Sequence, residues 1–200
     1  MYSQPTFYKF SEDSTQLAAY ASKLYQDNMK DLSILDLCSG CGVIGIEFCQ
    51  DNPNVKKLCL IEPQEDYKIH IEKNLELLDS SIETEVLIKP FDRCDFPKRF
   101  DLILSNPPYF LLGSGREPED ERKLKCHFIS REDFKVLMVL AKNLLNKNGI
   151  FLFLGREDQE IIQEYLRDDI IKVEKKLSKS LCTSESQFSL ISKLADVCCI

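Results

Sequence analysis

A chain of 200 residues, 44% hydrophobic and 30% charged, carries enough apolar surface for a single domain at the larger end of the usual range. Its longest apolar runs, such as Ile150 to Leu154, are too short to cross a bilayer as a helix, and Met1-Tyr2-Ser3-Gln4-Pro5 has no basic region followed by an apolar stretch. A cytoplasmic chain with no membrane contact is expected, and a net charge of −7 argues against coating nucleic acid by charge alone while leaving room for a local basic patch.

In chain order, Asp13-Ser14-Thr15-Gln16 looks like a helix start with Gln16 closing a capping box, and Leu17, Ala18, Ala21, Leu24 and Tyr25 follow at helical spacing. Residues 1–32 read as a helical lead-in. Ser33–Leu37 reads as a buried strand, Gly40–Gly45 as a turn, and a helix runs on to about Gln50. Lys57–Ile61 is a second strand. A helix over Gln64–Leu78 carries Tyr67, Ile71, Leu75 and Leu78 on one face. Thr84–Ile88 and Phe100–Leu104 are strands, and the polar, pattern-free segment 113–130 reads as a surface loop that meets substrate. Phe134, Leu137, Met138, Ala141, Leu144 and Leu145 mark a helix stopped at Asn148-Gly149. A strand over Ile150–Leu154, a helix near Asp158–Arg167, and strands near Ile170–Leu177 and Gln187–Lys193 complete the pattern. No repeat or long polar linker interrupts it. Strands alternating with helices mean an α/β fold, a largely parallel sheet covered on both faces, in one domain over 1–200.

Nine cysteines lie scattered, mostly in apolar segments, which suits buried thiols. Cys38 and Cys41 form a C-x-x-C, but inside a glycine turn and without a second close pair, so a structural role is favoured over zinc or redox chemistry. His70 and His127 stand without a metal constellation and read as structural, and no metal is expected. With Val197 ahead of Cys198-Cys199, no prenylation box is expected.

Two motifs carry chemistry. Asp36-Leu37-Cys38-Ser39-Gly40-Cys41-Gly42-Val43-Ile44-Gly45 follows a strand and opens a helix, with Gly40, Gly42 and Gly45 in G-x-G-x-x-G spacing. Glycine suits a tight turn where backbone approaches a ligand. Glu62 ends the next strand, where a carboxylate can accept from a ribose diol. The pattern fits NAD as well as S-adenosylmethionine. Asp36 ahead of the glycines tilts toward the latter, since its ammonium and sulfonium are cations whereas a pyrophosphate would be repelled.

Ser105-Asn106-Pro107-Pro108-Tyr109-Phe110 comes directly after the fourth strand, where ligands sit in open α/β sheets. Asn106 offers a side-chain carbonyl, and Pro107 a backbone carbonyl with φ fixed and no competing N–H. Pro108 biases Pro107 toward an extended shape. Two acceptors can hold both hydrogens of an amino group and pull its nitrogen toward tetrahedral geometry, localising the lone pair. Tyr109 offers a face on which a base can stack, worth ~1–3 kcal/mol. Catalysis is then mostly alignment, which removes ~7–11 kcal/mol of barrier at best.

With both motifs present, the chain resembles class I S-adenosylmethionine-dependent methyltransferases of the N-P-P-Y group, from about Phe7 to Leu154. Within the group it looks most like bacterial tRNA adenine-N6 methyltransferases acting on position 37 of valine tRNA. The pointers are Asp13-Ser14-Thr15-Gln16-Leu17, the Asn106–Tyr109 motif and, less specifically, the loop leading into Arg131. The resemblance implies a Rossmann-like, mostly parallel seven-stranded sheet with the last strand antiparallel. It implies S-adenosylmethionine as cofactor, held at Asp36, Cys38, Gly40, Gly42, Glu62, Asp92 and Asn106, with Asp95 as the alternative to Asp92. Asn106, Pro107 and Tyr109 are implied at the substrate amine. Cys38 stands where the family's first glycine stands.

Length favours a bare catalytic fold acting on an accessible RNA base, since duplex-DNA enzymes add a recognition domain and release-factor glutamine enzymes an N-terminal helical one. Arg116, Arg122, Lys123 and Lys125, and Lys172, Lys175, Lys176 and Lys179, are candidate phosphate contacts. Interspersed Glu117, Glu119, Asp120 and Glu121 equally suit a solvated face. Glutamine or rRNA methylation remains the alternative activity. A non-catalytic cofactor-binding subunit and an NAD oxidoreductase are the rival classes.

Overall fold

The chain's structure, a computed structural model, describes residues 1–26, 29–94, 99–156, 160–167, 172–177 and 188–194. Helix α1 (Glu12–Tyr25) buries Leu17, Ala18, Ala21 and Tyr25. It begins earlier than the capping-box reading placed it: Ser11 is the N-cap, with no side-chain cap bond, and Asp13 and Ser14 lie inside the helix on its buried face. Strand β1 (Leu32–Leu37), α2 (Val43–Asp51) and β2 (Val55–Glu62) follow. A single 3-10 turn at Glu65–Tyr67 precedes α3 (Lys68–Leu75), so the long helix expected over 64–78 is two shorter pieces. Tyr67 and Ile71 are nonetheless buried as its apolar face required.

Next come β3 (Glu83–Ile88), β4 (Phe100–Ser105), β5 (Phe110–Leu111), α4 (Glu121–His127) and β6 (Phe128–Ile129). The segment read as a surface loop over 113–130 therefore holds a helix, capped by the Asp120 carboxylate accepting from the Arg122 N–H at 2.9 Å, and a strand paired in parallel with β5. Its charges hid the helix because none of its residues is fully buried and only Leu124, Cys126 and His127 are half-buried, too few to set a period. Helix α5 (Arg131–Leu144) has a Ser130 cap, whose hydroxyl accepts from the Asp133 N–H and donates to the Asp133 carboxylate. It ends four residues before Asn148-Gly149, because Leu145 already pairs with Phe100 in β7 (Leu145–Gly155). Asn148 takes a left-handed φ of 71° within that strand. Helix α6 (Glu160–Arg167) and strands β8 (Lys172–Leu177) and β9 (Phe188–Leu194) end the described chain.

The seven-stranded sheet runs β3-β2-β1-β4-β7-β9-β8, with β3, β2, β1, β4 and β7 mutually parallel and β9 antiparallel to both neighbours. Ile34, Leu35 and Leu37 of β1 are wholly buried, as expected of a strand covered on both faces. One core cluster joins α1, α2 and α3 to the sheet, and the other joins α5 and α6 to its opposite face. Strand order reverses between β1 and β4, so the crevice beyond their C-terminal ends is where this architecture places a ligand.

Candidate active site

Both motifs open into that crevice. Leaving β1, the backbone adopts left-handed φ values at Cys38 (61°), Gly40 (54°) and Gly42 (82°). At Cys38 a side chain must tolerate this, at a cost of ~1–2 kcal/mol. Gly42 caps α2, and the Gly45 N–H donates to the Asp36 carboxylate at 2.9 Å. A methyl group at Gly45 would meet Leu58 at 2.8 Å and the Asp36 Cβ at 3.1 Å, so glycine lets the helix approach the strand closely enough for that bond.

Glu62, at the end of β2, accepts from the Gly40 N–H at 2.9 Å and the Gln64 N–H at 3.0 Å. Burial pushes its carboxyl up to about 7 despite these two donors. Asp36 is pushed up to about 8, first by burial and further by Glu62, against the pull of the Gly45 N–H. Among the described residues its Oδ1 has no hydrogen-bond partner, and neither has the buried Ser39 hydroxyl.

A cavity of about 490 Å³ lies over this turn. Cys38, Gly40, Glu62, Asp92 and Asn106 all line it, so five of the seven residues expected at the cofactor are brought together. Asp36 and Gly42 are not in its wall. Asp36 has no exposed surface and lies one layer behind, where it shapes the turn through Gly45. Asp92 sits in a 3-10 turn, exposed, beside the cavity-lining Phe91. Asp95 lies outside the described residues.

In the second motif, Asn106 and Pro108 face the cavity, while Pro107 is buried. The Tyr109 ring packs against the α1–α2 side of the core, and its hydroxyl donates to Asn106 Oδ1. Burial, followed by the charge of Asp13, holds this phenol well above its ordinary range, so it stays a donor. Tyr109 thus sits on the acceptor expected to take the substrate amine, and its face is not in the cavity wall. The Asn106 Nδ2 donates to the Ser14 hydroxyl at 3.0 Å.

Several participants went unread in the sequence. Tyr8 and Phe10 line the cavity. Their segment is clipped down by Asn74, which accepts from the Ser3 N–H and donates to the carbonyls of Ser3 and Cys41. Helix α4 closes another side with Leu124, Lys125 and Cys126, the last in contact with the Tyr67 hydroxyl at 3.3 Å and accepting from Gln64 at 3.5 Å. Ser14 was read only as part of a helix start and of the Asp13–Leu17 pointer, and Lys125 only as a phosphate contact; the signal for Ser14 is a polar residue three, four and seven positions before Leu17, Ala18 and Ala21 on the apolar face.

The basic candidates divide. Arg122 is engaged by Asp120 at 2.9 Å and lies over the Phe7 ring. Arg116, Lys123 and Lys125 are exposed. Lys172, Lys175 and Lys176 fall on β8, whose side chains lie outside the described set, as does Lys179 altogether. His127 packs edge-on to Tyr8, with burial lowering its pKa, and His70 bonds to the Ser3 hydroxyl. Among the described residues no helix is long and apolar enough to cross a membrane.

The sheet order, the antiparallel β9 and the glycine turn over the crevice are those of the Rossmann-like methyltransferase fold. Among solved structures, the ribosomal protein L11 methylase from Lactobacillus delbrueckii subsp. bulgaricus superposes with a TM-score of 0.63 at 17% identity, over 93% of this chain and 80% of that one. Residues 10–179 match the methyltransferase small domain, and the chain belongs to that family. It is 29% identical over 127 residues to a tRNA1(Val) (adenine(37)-N6)-methyltransferase of Proteus mirabilis, covering 61% of this chain and 48% of the relative. It is 27% identical over 151 residues to a release factor glutamine methyltransferase of Flavobacterium psychrophilum, covering 69% and 52%. The chain thus spans about half the length of these curated relatives.

Proposed function

We propose that this protein transfers a methyl group from S-adenosylmethionine to an exocyclic amino nitrogen, and that the acceptor is N6 of an adenine in RNA. The observation that carries the reading is the placement of Asn106 in the wall of the same cavity as the Cys38–Cys41 turn and Glu62. The residues fit the cofactor. Glu62 is fixed by two backbone donors, which leaves lone pairs for a ribose diol, and Ser39 has an unspent hydroxyl. Two buried carboxyls, Asp36 and Glu62, favour a cation nearby. When bound, S-adenosylmethionine supplies an electrophilic methyl group on a sulfonium.

The chain's own part is alignment. Substrate entry exchanges the Tyr109 O–H at Asn106 Oδ1 for an amine N–H, and this exchange frees the tyrosine ring to swing against the base. Pro108 and the apolar cavity wall limit water around the nitrogen. The tRNA-modifying relative supports adenine as the acceptor. The glutamine-modifying relative supports the second reading, a protein side-chain amide, which presents the same planar NH2.

The test incubates purified protein with tritiated S-adenosylmethionine and, separately, an unmodified valine tRNA transcript and a release factor. Expected is label in N6-methyladenosine. Asn106→Ala lowers turnover by at least ~100-fold, the scale of a lost positioning contact, with cofactor affinity held within a few-fold. Label in glutamine moves the assignment to protein. Cofactor binding without transfer to either points to a non-catalytic subunit.

A further inference from the structure

Asn106 can present its carbonyl to a substrate only if its amide is held one way round. Rotating the amide by half a turn would put the NH2 into the cavity, where it repels an amine. Two contacts set the choice. Tyr109 donates to Oδ1, but that is the contact a substrate must displace. The other is the Nδ2 donation to Ser14 at 3.0 Å, made from a different element 92 positions earlier in the chain. Ser14 is 4% exposed, in the first turns of α1, with Leu17, Ala18 and Ala21 packed beneath it. It uses a different Asn106 atom from the one Tyr109 holds, so loss of the Tyr109 contact does not require this bond to break.

We infer that Ser14 is a positioning residue, whose hydroxyl accepts from Asn106 and keeps the amide carbonyl turned to the target amine. The inference rests on the reading of Asn106 as amine acceptor. It makes the helix before the first strand part of the reacting geometry, although neither motif lies on it. A hydroxyl is needed, not a particular shape: threonine keeps the acceptor, and alanine removes it while leaving helix and core in place.

Two measurements test this. In the first, S14A and S14T are compared with wild type on the acceptor that the wild type methylates. S14A loses roughly ten- to a hundred-fold in kcat, the range that misplacement of a reacting group costs, with cofactor Kd and thermal midpoint little changed. S14T recovers most of the rate. Equal kcat in S14A and wild type overturns the inference while leaving the function standing, provided Asn106→Ala is inactive. The second needs no acceptor: the Asn106 side-chain NH2 is followed by NMR in protein labelled with 15N-asparagine. Bonded to Ser14, it exchanges with solvent slowly. In S14A exchange speeds up several-fold, and S14T restores it. Unchanged exchange in S14A defeats the inference whatever the substrate proves to be.

Discussion

Glu62 lies where a charged side chain is most useful and least comfortable. Burial raises its carboxyl from 4.5 to about 7, so the folded chain binds this proton more tightly than the unfolded chain does. Stability from that proton is fully present below about pH 4.5 and is lost as pH rises through about 7. Asp36, raised to about 8, extends the same trend. The thermal midpoint of the cofactor-free protein should therefore carry a falling component between about pH 5 and 8. Glu62→Gln should flatten it. Glutamine gives up one acceptor for an NH2, so either Gly40 or Gln64 loses its partner, and the variant should start lower at pH 5. A midpoint in the variant as steep in pH as in wild type would remove Glu62 from this account. A cation entering the cavity should draw off part of a proton near neutral pH, which calorimetry in buffers of different ionisation enthalpy would read directly.

At the scale of elements, α2 depends on one missing methyl group. Gly45→Ala would press a Cβ to within 2.8 Å of Leu58 and 3.1 Å of Asp36, prising helix from strand. Overpacking of this kind costs ~1–3 kcal/mol, to be measured by urea unfolding, and the Gly45–Asp36 bond should lengthen with it. Helix α4 is held differently, by Cys126 against Tyr67 and Gln64 and by Arg122 over Phe7. Arg122→Ala should quicken hydrogen exchange in 121–127 without moving the global midpoint, because Arg122 is exposed and the core lies elsewhere. These two elements also mark what the sequence could tell. The turn before α2 was legible because glycine spacing reports a backbone requirement that is local. Helix α4 was not, since it has no fully buried residue and only Leu124, Cys126 and His127 half-buried among charges. The end of α5 was misplaced because strand pairing at Leu145 overrode a helical period that ran on through it.

For the molecule as a whole, a net charge of −7 bounds the way the proposed RNA acceptor would be held. The exposed cations on the 113–130 segment are Arg116, Lys123 and Lys125, with Arg122 already committed to Asp120. About three phosphate contacts give log K a slope near −2 against log salt for a single-stranded loop. A slope beyond about −5 in tRNA binding would mean a surface other than this one. The largely parallel sheet was readable from alternation and the crevice from the placement of the motifs, whereas the order of the strands was not read. The site's walls were not, because they are joined by contacts between residues far apart in the chain: Ser3 to Asn74, Ser14 to Asn106 and Tyr67 to Cys126. Nothing local in any of those residues announces its partner.

The amide of Asn74 belongs to neither motif yet fastens the N-terminal segment at Ser3 to the carbonyl of Cys41 in the glycine turn. One side chain is thereby the hinge pin of two walls. Asn74→Ala would let both drift apart, loosening the cavity while every residue that lines it keeps its identity. Drift of cofactor affinity among natural variants of such a chain should accordingly be sought at α3, in a position that a motif search passes over.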